Sequence, residues 1–444
     1  MRINHGGKTP RHISAKQAAA LVKSGDWIDY GISHCQPDVF DKALALRKSE
    51  LRDVKFRSCL TVKPRAVLEA DPEGESFFYF SWHYVGYDRR MSDAGICHYI
   101  PCNLGEISDY YRRFNPPVDV CVLKTGPLGP DGVFNFGGTS LWQRAAVESA
   151  KIVIVEITNA MPFGHGLTNG IHQSEVDFII DGDHAPLAAL PSGAPTDVDR
   201  AVGRLIAAEI ETGACLQIGI GGMPNAVCAS LLDSDARDLG VQTEMLTDGL
   251  VDLYKAGRIT GKHKRLDTGK ITYSFSLGSQ YLYDALDNNP DFHCAPVEFT
   301  NLPDRVMQNP KAVAINNTTQ IDLQGQAASE SDGHRHISGT GGQAQFVRGA
   351  YASDGGKAFI CLASTYERHG NRRSRIVLNL TPGNIVTTTR ADMMYVVTEY
   401  GMVNLKGKSV PDRAKALISI AHPDYRESLE REARENGLIP RHYV

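Results

Sequence analysis

Apolar residues along the chain recur in two alternating patterns, one with a helical period and one in short continuous runs. An amphipathic helix is predicted over residues 14–23. Apolar runs typical of strands lie at residues 27–30, 118–123, 152–157, 215–218, 312–315 and 359–362. Strands that are separated by helices form largely parallel sheets covered by helices on both faces. The pattern therefore predicts an α/β fold.

One stretch without periodicity divides the chain. Residues 181–196 read DGDHAPLAALPSGAPT, and such a run of Gly, Pro, Asp and Ala is typical of a linker. A chain of 444 residues is also too long for one ordinary core and suits two domains of roughly 200 residues. We therefore predict an N-terminal α/β domain over residues 1–190 and a C-terminal α/β domain over residues 195–444.

The two halves contain a similar succession of features: a helix, a glycine, a strand, a glycine-containing turn, a proline, a second helix, Arg-Asp and a second strand. Aligning Arg52-Asp53 with Arg237-Asp238 places Cys59 opposite Glu244. The alternative is that any two βα units look alike. The shared Arg-Asp and proline favour a true duplication, in which only the second half has a carboxylate at that strand end.

Composition and charge narrow the class of protein. The net charge of −4, without a basic block, provides no electrostatic surface for a nucleic-acid backbone. Nine cysteines are scattered without zinc-ligand spacing, as expected for reduced core thiols. No apolar run approaches the roughly 20 residues that span a bilayer, and the N-terminus has no signal-peptide pattern. These features predict a cytoplasmic protein whose partners are small molecules, with no nucleic acid and no membrane.

A glycine-rich turn follows the predicted strand at residues 215–218. The sequence QIGIGGMPNAV at residues 217–227 runs from this strand into a helix that begins around Pro224. Unpaired backbone N–H groups at such a helix start suit an oxyanion or a phosphate. A dinucleotide fingerprint does not fit, because Pro224 occupies the third glycine position. A tight strand-to-helix turn without a binding role is the structural alternative.

Glu244 is the candidate for chemistry in VQTEMLTDGLVDL, residues 241–253. Residues at the carboxyl ends of parallel strands meet in the crevice where ligands bind. Glu244 and the turn at residues 219–222 should occupy neighbouring strand ends. From spacing alone, the carboxylate could be a nucleophile, a general base or an ionised surface group.

Two further glycine clusters lie within residues 337–362. The first is Gly-Thr-Gly-Gly, and the second is Gly-Gly followed by Lys357, which offers a point charge for a phosphate. His334 and His336 could suggest a metal pair, but exposed loop histidines account for them better. The chain has no G-x-S-x-G elbow, Walker A loop or H-E-x-x-H helix, so serine-hydrolase, P-loop and zincin functions lose their main support.

Several motifs in the same order over nearly the whole chain resemble the acetyl-CoA hydrolase/transferase family. The motifs are GDWIDYG, DGVFNFGG, GIGGMPNAV, TEMLTDGLVDLYKAGRIT, GTGGQAQFVRGA, SDGGKAFICLAST and VVTEYGMVNLKGKSVPDRAKALISIAHPDYR. Butyryl-CoA:acetate and 4-hydroxybutyrate CoA-transferases are the members that the chain resembles most. The resemblance implies two similar open α/β domains, a duplication like that of family I CoA-transferases.

The resemblance also implies functional residues. The T-E-M glutamate of the family, here Glu244, would form a covalent glutamyl-CoA thioester during ping-pong transfer of CoA from a short-chain acyl-CoA to acetate or another small acid. The segments that would line the oxyanion and CoA sites are Gly219, Ile220, Gly221, Gly222 and Met223, then Asn317, then Gly339, Gly341, Gly342 and Gln343, then Lys357. Gln345 stands where many relatives have an aspartate. A local hydrogen bond that this aspartate would make is therefore in doubt here.

The resemblance leaves two other functions open. Water admitted to the same glutamate would make the protein an acyl-CoA hydrolase, and glycine turns without a working nucleophile would make it a non-catalytic acyl-CoA-binding protein. Coenzyme A would be a substrate, with no permanently bound cofactor and no metal. A homodimer or higher homo-oligomer is a further possibility implied by the family.

Overall fold

The structure is a computed structural model that describes residues 9–190, 193–219 and 221–443. These residues form two compact units that are each built from several segments. The first unit comprises residues up to 190 together with 272–300 and 336–341, and the second comprises the rest.

The first unit contains an eight-stranded sheet in which each neighbouring pair of strands runs parallel. Up to residue 190, the strands of the unit are β1 (Arg11–His12), β2 (Trp27–Ile32), β3 (Val54–Cys59), β4 (Phe77–Ser81), β5 (Cys97–Tyr99), β6 (Val118–Thr125), β7 (Val133–Asn135), β8 (Ala150–Ile157), β9 (Gly170–His172) and β10 (Phe178–Asp181). Strands β7 and β9 form a separate two-stranded sheet. The helices of the unit in this range are α1 (Ala15–Ala19), α2 (Val39–Ala45), α3 (Ala66–Ala70), α4 (Gly86–Asp93), α5 (Ile107–Arg113) and α6 (Gln143–Ser149). The strand order is β1-β10-β8-β6-β2-β3-β4-β5.

After the linker, the chain forms the first part of the second unit and then returns to the first. The elements up to residue 301 are α7 (Asp197–Ala207), β11 (Cys215–Ile218), α8 (Gly222–Asp233), β12 (Gly240–Leu246), α9 (Asp248–Lys255), β13 (Ile271–Ser276), α10 (Gln280–Leu286), β14 (Phe292–Cys294) and α11 (Val297–Asn301). A side-chain capping box at Thr196 begins α7, because Asp199 and Thr196 satisfy each other's backbone N–H groups.

The remaining elements complete the second unit. The helices are α12 (Pro303–Val306), α13 (Gln343–Ala352), α14 (Val410–Ser419) and α15 (Pro423–Glu435). The strands are β15 (Ala312–Asn317), β16 (Gln320–Asp322), β17 (Ala327–Ala328), β18 (Ser331–Asp332), β19 (Arg335–His336), β20 (Lys357–Cys361), β21 (Thr365–Arg368), β22 (Asn371–Ser374), β23 (Ile376–Val377), β24 (Tyr395–Thr398) and β25 (Gly401–Asn404). In this unit the main sheet has the order β12-β11-β15-β20-β24-β25, parallel except for β25.

The strand orders confirm the predicted likeness of the two halves. The series β10-β8-β6-β2-β3 in the first unit corresponds to β24-β20-β15-β11-β12 in the second. Asp53 and Asp238 precede the equivalent strands β3 and β12, and both have a left-handed backbone, with φ of 58° and 55°. Such a conformation is uncommon for a non-glycine residue, so its recurrence at the aligned position supports duplication.

The predicted division into residues 1–190 and 195–444 stays a prediction, because each compact unit is built from several segments of the chain. Residues 272–300 group with the first unit, where their backbone pairs with its loops. Ser140 N donates to Ser274 O at 2.9 Å, and Ser276 N donates to Gly138 O at 2.8 Å. Leu167 N donates to Cys294 O at 3.0 Å. Sequence periodicity cannot reveal such non-local pairing.

Each sheet is buried under helices, as a parallel sheet requires. In the first unit, Val120, Val122 and Ile154 are fully buried in the core. In the second, Ala314 and Ile360 pack with Phe346 and Val347 of α13. All nine cysteines are buried and free of disulfides, which confirms the prediction of core thiols. No helix among the described residues combines the length and apolarity needed to cross a membrane.

Candidate active site

Glu244 lies near the carboxyl end of β12, beside the end of β11. The strands pair in parallel, with Cys215 opposite Gly240 and Leu216 opposite Val241. Continuing this register places Glu244 level with Gly219, the first residue of the turn after β11. The predicted proximity of the glutamate and the glycine turn is therefore present within the second unit.

Two hydrogen-bond donors hold the Glu244 carboxylate. Asn301 Nδ2, at the end of α11, donates to Oε2 at 2.5 Å, and the backbone N–H of Gly342 also donates to the carboxylate. Burial raises the pKa of Glu244 from its usual 4.5 to about 7, because desolvation outweighs these two hydrogen bonds, which lower it. The residue as a whole is nevertheless only partly buried. A carboxylate with a near-neutral pKa can act as a nucleophile or a base.

Gly342 makes this arrangement possible because it carries no side chain. A Cβ at this position would overlap Glu244 Oε2 and would lie 2.5 Å from Asn301 Nδ2. Gly342 is also the N-cap residue of α13, where the helix dipole favours a negative charge. The start of α13 therefore supplies both space and a donor to the carboxylate.

Gln242, two residues before Glu244, anchors the strand on the same face. Asn309 Nδ2 donates to Gln242 Oε1 at 2.6 Å. Asn309 Oδ1 in turn accepts the backbone N–H groups of Arg265 and Leu266, both at 2.9 Å. Because Gln242 and Asn309 are buried, this network limits movement of the strand that carries the glutamate.

The glycine turn leads into the N-terminus of α8. Gly221 has φ of 122°, a backbone conformation that an L side chain rarely adopts. At Gly222, a Cβ would lie 2.7 Å from Asp199 Oδ2, so a larger residue there would displace the Asp199 carboxylate. Gly222 and Met223 begin the helix and carry N–H groups without an intrahelical acceptor, whereas Pro224 has no N–H. Ile220, the other predicted residue of this turn, lies outside the described residues.

Asn317 lies on the other side of the turn. It is the last residue of β15, which pairs with β11 on the side opposite β12, and it is exposed. Its Nδ2 lies 3.8 Å from the position that a Cβ on Gly221 would occupy. The carboxyl edge of this sheet thus carries Glu244, the turn at residues 219–223 and Asn317 side by side.

The other predicted residues of the second unit have different surroundings. Lys357 begins β20 at the amino edge of the sheet, where its Nζ donates to Glu209 O and Oε2, both at 3.0 Å. Gln343 is buried, and its Nε2 donates to Thr388 Oγ1 at 2.9 Å. Gln345, the departure from the family pattern, is also buried on α13.

Gly339 and Gly341 belong to the first unit and make close backbone approaches there. A Cβ on Gly339 would lie 2.7 Å from His83 Nδ1, and Gly341 O accepts the N–H of Leu104 at 3.1 Å. Gly341 has φ of 57°, so its conformation also favours glycine. Gly342, the last residue of the same turn, belongs to the second unit, where its N–H donates to the Glu244 carboxylate.

The two histidines in this region have different surroundings. His334 is exposed as predicted, but His336 is not a free loop residue. Its ring stacks on Tyr99 with a centroid distance of 3.7 Å, and its Nε2 lies 2.8 Å from Ser338 O. Within residues 9–190, 193–219 and 221–443, no three His, Cys, Asp or Glu side chains gather as metal ligands would.

Sequence reasoning missed Asn301, the side chain in closest polar contact with Glu244. Asn301 follows PVEFT at the end of a five-residue helix, and no glycine motif or strand pattern surrounds it. It is completely buried, as a polar residue with a specific partner should be. Only the three-dimensional structure brings it beside the glutamate.

Comparisons with known proteins agree with the resemblance inferred from the motifs. Sequence models of the acetyl-CoA hydrolase/transferase N-terminal and C-terminal domains match residues 8–191 and 278–433. The chain is 45% identical over 426 residues to a butyryl-CoA:acetate CoA-transferase from Anaerostipes caccae, covering 95% of each chain. It is 44% identical over 429 residues to a probable butyrate:acetyl-CoA coenzyme A-transferase from Syntrophomonas wolfei, covering 96% of this chain and 95% of the relative.

Solved structures give the same result. The crystal structure of RipA from Yersinia pestis superposes with a TM-score of 0.89 at 33% sequence identity, covering 97% of this chain and 98% of RipA. Family matches to both parts of the chain, identities above 40% and a shared fold over nearly the full length all agree. The chain belongs to the acetyl-CoA hydrolase/transferase family.

Proposed function

We propose that this protein is a CoA-transferase that moves CoA between a short-chain acyl-CoA, such as butyryl-CoA, and acetate or another small carboxylic acid. The observation that carries the proposal is the Glu244 carboxylate, which two donors hold at a strand end in a residue that is only partly buried. The CoA-transferase names of two relatives at 44–45% identity support the same activity.

The first half of the reaction begins with ionised Glu244. One carboxylate oxygen attacks the thioester carbonyl carbon, the C–S bond breaks, and the products are an acyl-glutamyl anhydride and CoA thiolate. Negative charge develops on the carbonyl oxygen during the attack. The N–H groups of Gly222 and Met223 at the start of α8 are suited to stabilise this oxyanion.

The CoA thiolate then attacks the carbonyl carbon of Glu244. This forms a glutamyl-CoA thioester and releases the first carboxylic acid as its carboxylate. An incoming carboxylate reverses the sequence: it attacks the glutamyl thioester, and the thiolate then takes the new acyl group and restores Glu244. Because the free energy of the thioester is conserved at each step, the reaction requires no ATP.

The donors around Glu244 suit this scheme. Asn301 and Gly342 donate to the carboxylate and orient one oxygen, so that the attacking geometry is established before acyl-CoA binds. In the anhydride and the thioester, the same N–H groups can donate to the glutamyl carbonyl oxygen, which becomes negatively charged when the thiolate or the acid attacks. Both half-reactions would therefore use the same two donors.

Labelling of Glu244 provides the decisive test. Incubation with acyl-CoA in the absence of acceptor should build up glutamyl-CoA, which borohydride or hydroxylamine modifies in a way that free carboxylate resists. Inactivation should require acyl-CoA, and peptide mass analysis should locate the modification in VQTEMLTDGLVDLYK. Glu244→Ala should lose both labelling and transfer. Labelling of another carboxylate would overturn the proposal.

Two controls sharpen this test. Cys59 occupies the position in β3 equivalent to Glu244, and Cys59→Ser should remain active if the duplication is interpreted correctly. Glu244→Asp should be severely impaired, because an arm shorter by one methylene misplaces the attacking oxygen by about 1 Å, which can reduce the rate on the order of 10²-fold.

Steady-state kinetics distinguish the remaining alternatives. Transfer through glutamyl-CoA requires ping-pong behaviour, with parallel double-reciprocal plots, whereas direct exchange gives intersecting lines. Consumption of acyl-CoA without an acid acceptor would identify a hydrolase that uses the same glutamate. Tight binding of acyl-CoA without turnover would identify a non-catalytic binding protein.

A further inference from the structure

A strongly basic hairpin extends from the main sheet of the second unit. Strands β21 and β22 pair antiparallel, and residues 365–375 contain four arginines and one glutamate, a net charge of +3 in a chain whose overall charge is −4. Residues 367–373 are exposed. A local positive surface on a negative protein is suited to attracting an anionic ligand.

The hairpin lies at the edge of the sheet where Glu244 is found. Strand β20 runs parallel to β15, with Cys361 opposite Asn317, so the chain that leaves β20 emerges at the carboxyl edge. Arg375 Nη1 then donates to Thr319 O at 2.9 Å, and Ile321 N donates to Arg375 O at 3.0 Å. These bonds join the base of the hairpin to the segment that follows Asn317.

The two faces of the hairpin differ. On one face, Glu367 lies opposite Arg372, which forms an ion pair with Asp424 of α15. Tyr425 Oη also donates to Arg372 O at 2.6 Å. This face attaches the hairpin to α15.

The other face combines positive charge with an aromatic ring. Tyr366 lies opposite Arg373, and Arg368 lies on the same face two residues after Tyr366. The guanidinium of Arg375 stacks on the Tyr366 ring at 4.9 Å from its centroid. Arg368 Nη1 lies 3.7 Å from Asp332 Oδ2, an exposed pair that a phosphate can displace at small cost.

The proposed substrate needs such a surface at this edge. The 3′-phosphate and diphosphate of CoA are strong anions, and arginine binds phosphate with parallel hydrogen bonds. Lys357, the cation that the sequence offered for this purpose, is paired with Glu209 at the opposite edge of the sheet. The hairpin supplies cations at the edge where the acyl group would react.

The strand that carries Glu244 and the strand that leads into the hairpin are separated by a distance that one CoA molecule can bridge. Strands β12 and β20 are separated by three interstrand spacings, roughly 14 Å. The pantetheine arm joins the sulfur to the phosphates through a peptide-like chain of about four residue lengths, which also extends over roughly 14 Å.

We propose that Arg368 and Arg373, with Tyr366 between them, bind the phosphate and adenosine end of CoA while its sulfur lies at Glu244. This inference rests on the proposed transfer of CoA, because it assigns the other end of the same substrate. The two guanidinium groups bind phosphate oxygens, and the Tyr366 ring offers a face on which adenine stacks.

The test compares two thioesters that share the reacting end. The double variant Arg368→Gln/Arg373→Gln should raise the KM for butyryl-CoA about tenfold, while kcat stays within about twofold. The KM for S-butyryl-pantetheine, which lacks the phosphates and adenosine, should stay unchanged. Raising the salt concentration should lower kcat/KM for butyryl-CoA in the wild type and much less in the variant.

A matched control is available on the opposite edge of the sheet. Arg237 is an exposed arginine shortly before β12, and Arg237→Gln should leave both KM values unchanged. If the double variant does not fold, Arg373→Gln alone carries the same comparison. An unchanged KM for butyryl-CoA in a folded variant overturns the inference while the proposed function stands. Absence of any CoA transfer by the wild type would overturn the proposed function and this inference together.

Discussion

Asn301 Nδ2 donates a 2.5 Å hydrogen bond to Glu244 Oε2 from a position that is completely buried. This bond favours the ionised carboxylate, as does the N–H of Gly342, but burial acts in the opposite direction and dominates. The result is a pKa of about 7 for Glu244. A substantial share of the nucleophile of the proposed reaction is therefore protonated at neutral pH.

The rate of acyl-CoA consumption should increase with pH, because the pKa of Glu244 is about 7. Only the carboxylate attacks a thioester, so kcat/KM for acyl-CoA should rise as the pH increases through about 7 and level off about one unit above it. Small carboxylic acids are already ionised throughout this range and add no transition of their own. The measurement is kcat/KM for butyryl-CoA at constant ionic strength, and a profile that is flat below neutral pH would contradict the assignment.

Asn301→Ala should shift the same profile to higher pH. Removing this donor destabilises the ionised form, so the apparent pKa of Glu244 should rise and activity at neutral pH should fall about tenfold or more. Part of the loss should recover at alkaline pH, because more of the carboxylate becomes ionised there. A change in activity without a shift of the profile would mean that Asn301 supports the fold rather than the charge of Glu244.

Gly342→Ala should abolish transfer while the protein remains folded. The added Cβ would overlap the Glu244 carboxylate and lie 2.5 Å from Asn301 Nδ2, so it would displace the attacking oxygen. A displacement of about 1 Å can reduce the rate on the order of 10²-fold. Gly193→Ala is the matched control, because a Cβ at Gly193 meets no atom within 4 Å. Near wild-type kcat in Gly342→Ala would show that Glu244 is not held as described.

Some of this site could be predicted because local sequence determines it. Val241 and Thr243 before Glu244 favour a strand, and the glycines after β11 favour a turn. Parallel pairing then brings these adjacent strand ends together. The recurrence of Arg-Asp before β3 and β12 likewise indicated the duplication.

Other features depend on non-local packing and escaped prediction. Asn301 reaches Glu244 only when α11 is placed, and the return of residues 272–300 to the first unit depends on backbone pairing with distant loops. Lys357 follows a glycine pair that resembles a phosphate-binding loop, but the direction of β20 places it at the amino edge. A motif supplies residue types, whereas strand direction decides which edge they occupy.

The position of Lys357 leads to a prediction that separates a structural role from a binding role. Lys357→Met removes the contacts with Glu209 and should lower the free energy of unfolding by about 1 kcal/mol. The KM for butyryl-CoA should stay within about twofold of the wild-type value. Denaturant unfolding and steady-state kinetics of the same preparation measure both quantities. A tenfold rise in KM with unchanged stability would instead support the CoA contact that the sequence motif suggests.

Replacement of the nucleophile should stabilise the folded protein, and more so at high pH. The pKa of Glu244 is raised in the folded state, so the folded protein holds this proton more tightly than the unfolded chain does. The contribution of protonated Glu244 to the free energy of unfolding is complete below a pH of about 4.5 and is lost as the pH rises through about 7. Glutamine cannot ionise, so Glu244→Gln escapes this loss and can still accept the hydrogen bonds from Asn301 and Gly342.

We therefore expect Glu244→Gln to exceed the wild type in free energy of unfolding by at most about 3 kcal/mol at pH 8, and by much less at pH 5. Thermal unfolding at the two pH values measures the difference as a Tm gain of a few degrees that appears mainly at the higher pH. Glu432→Gln, on the exposed surface of α15, should show no such pH-dependent gain. An equal Tm gain at both pH values would attribute the effect to packing rather than charge. A loss of stability at pH 8 would mean that the folded protein favours the ionised carboxylate, contrary to a pKa raised by burial.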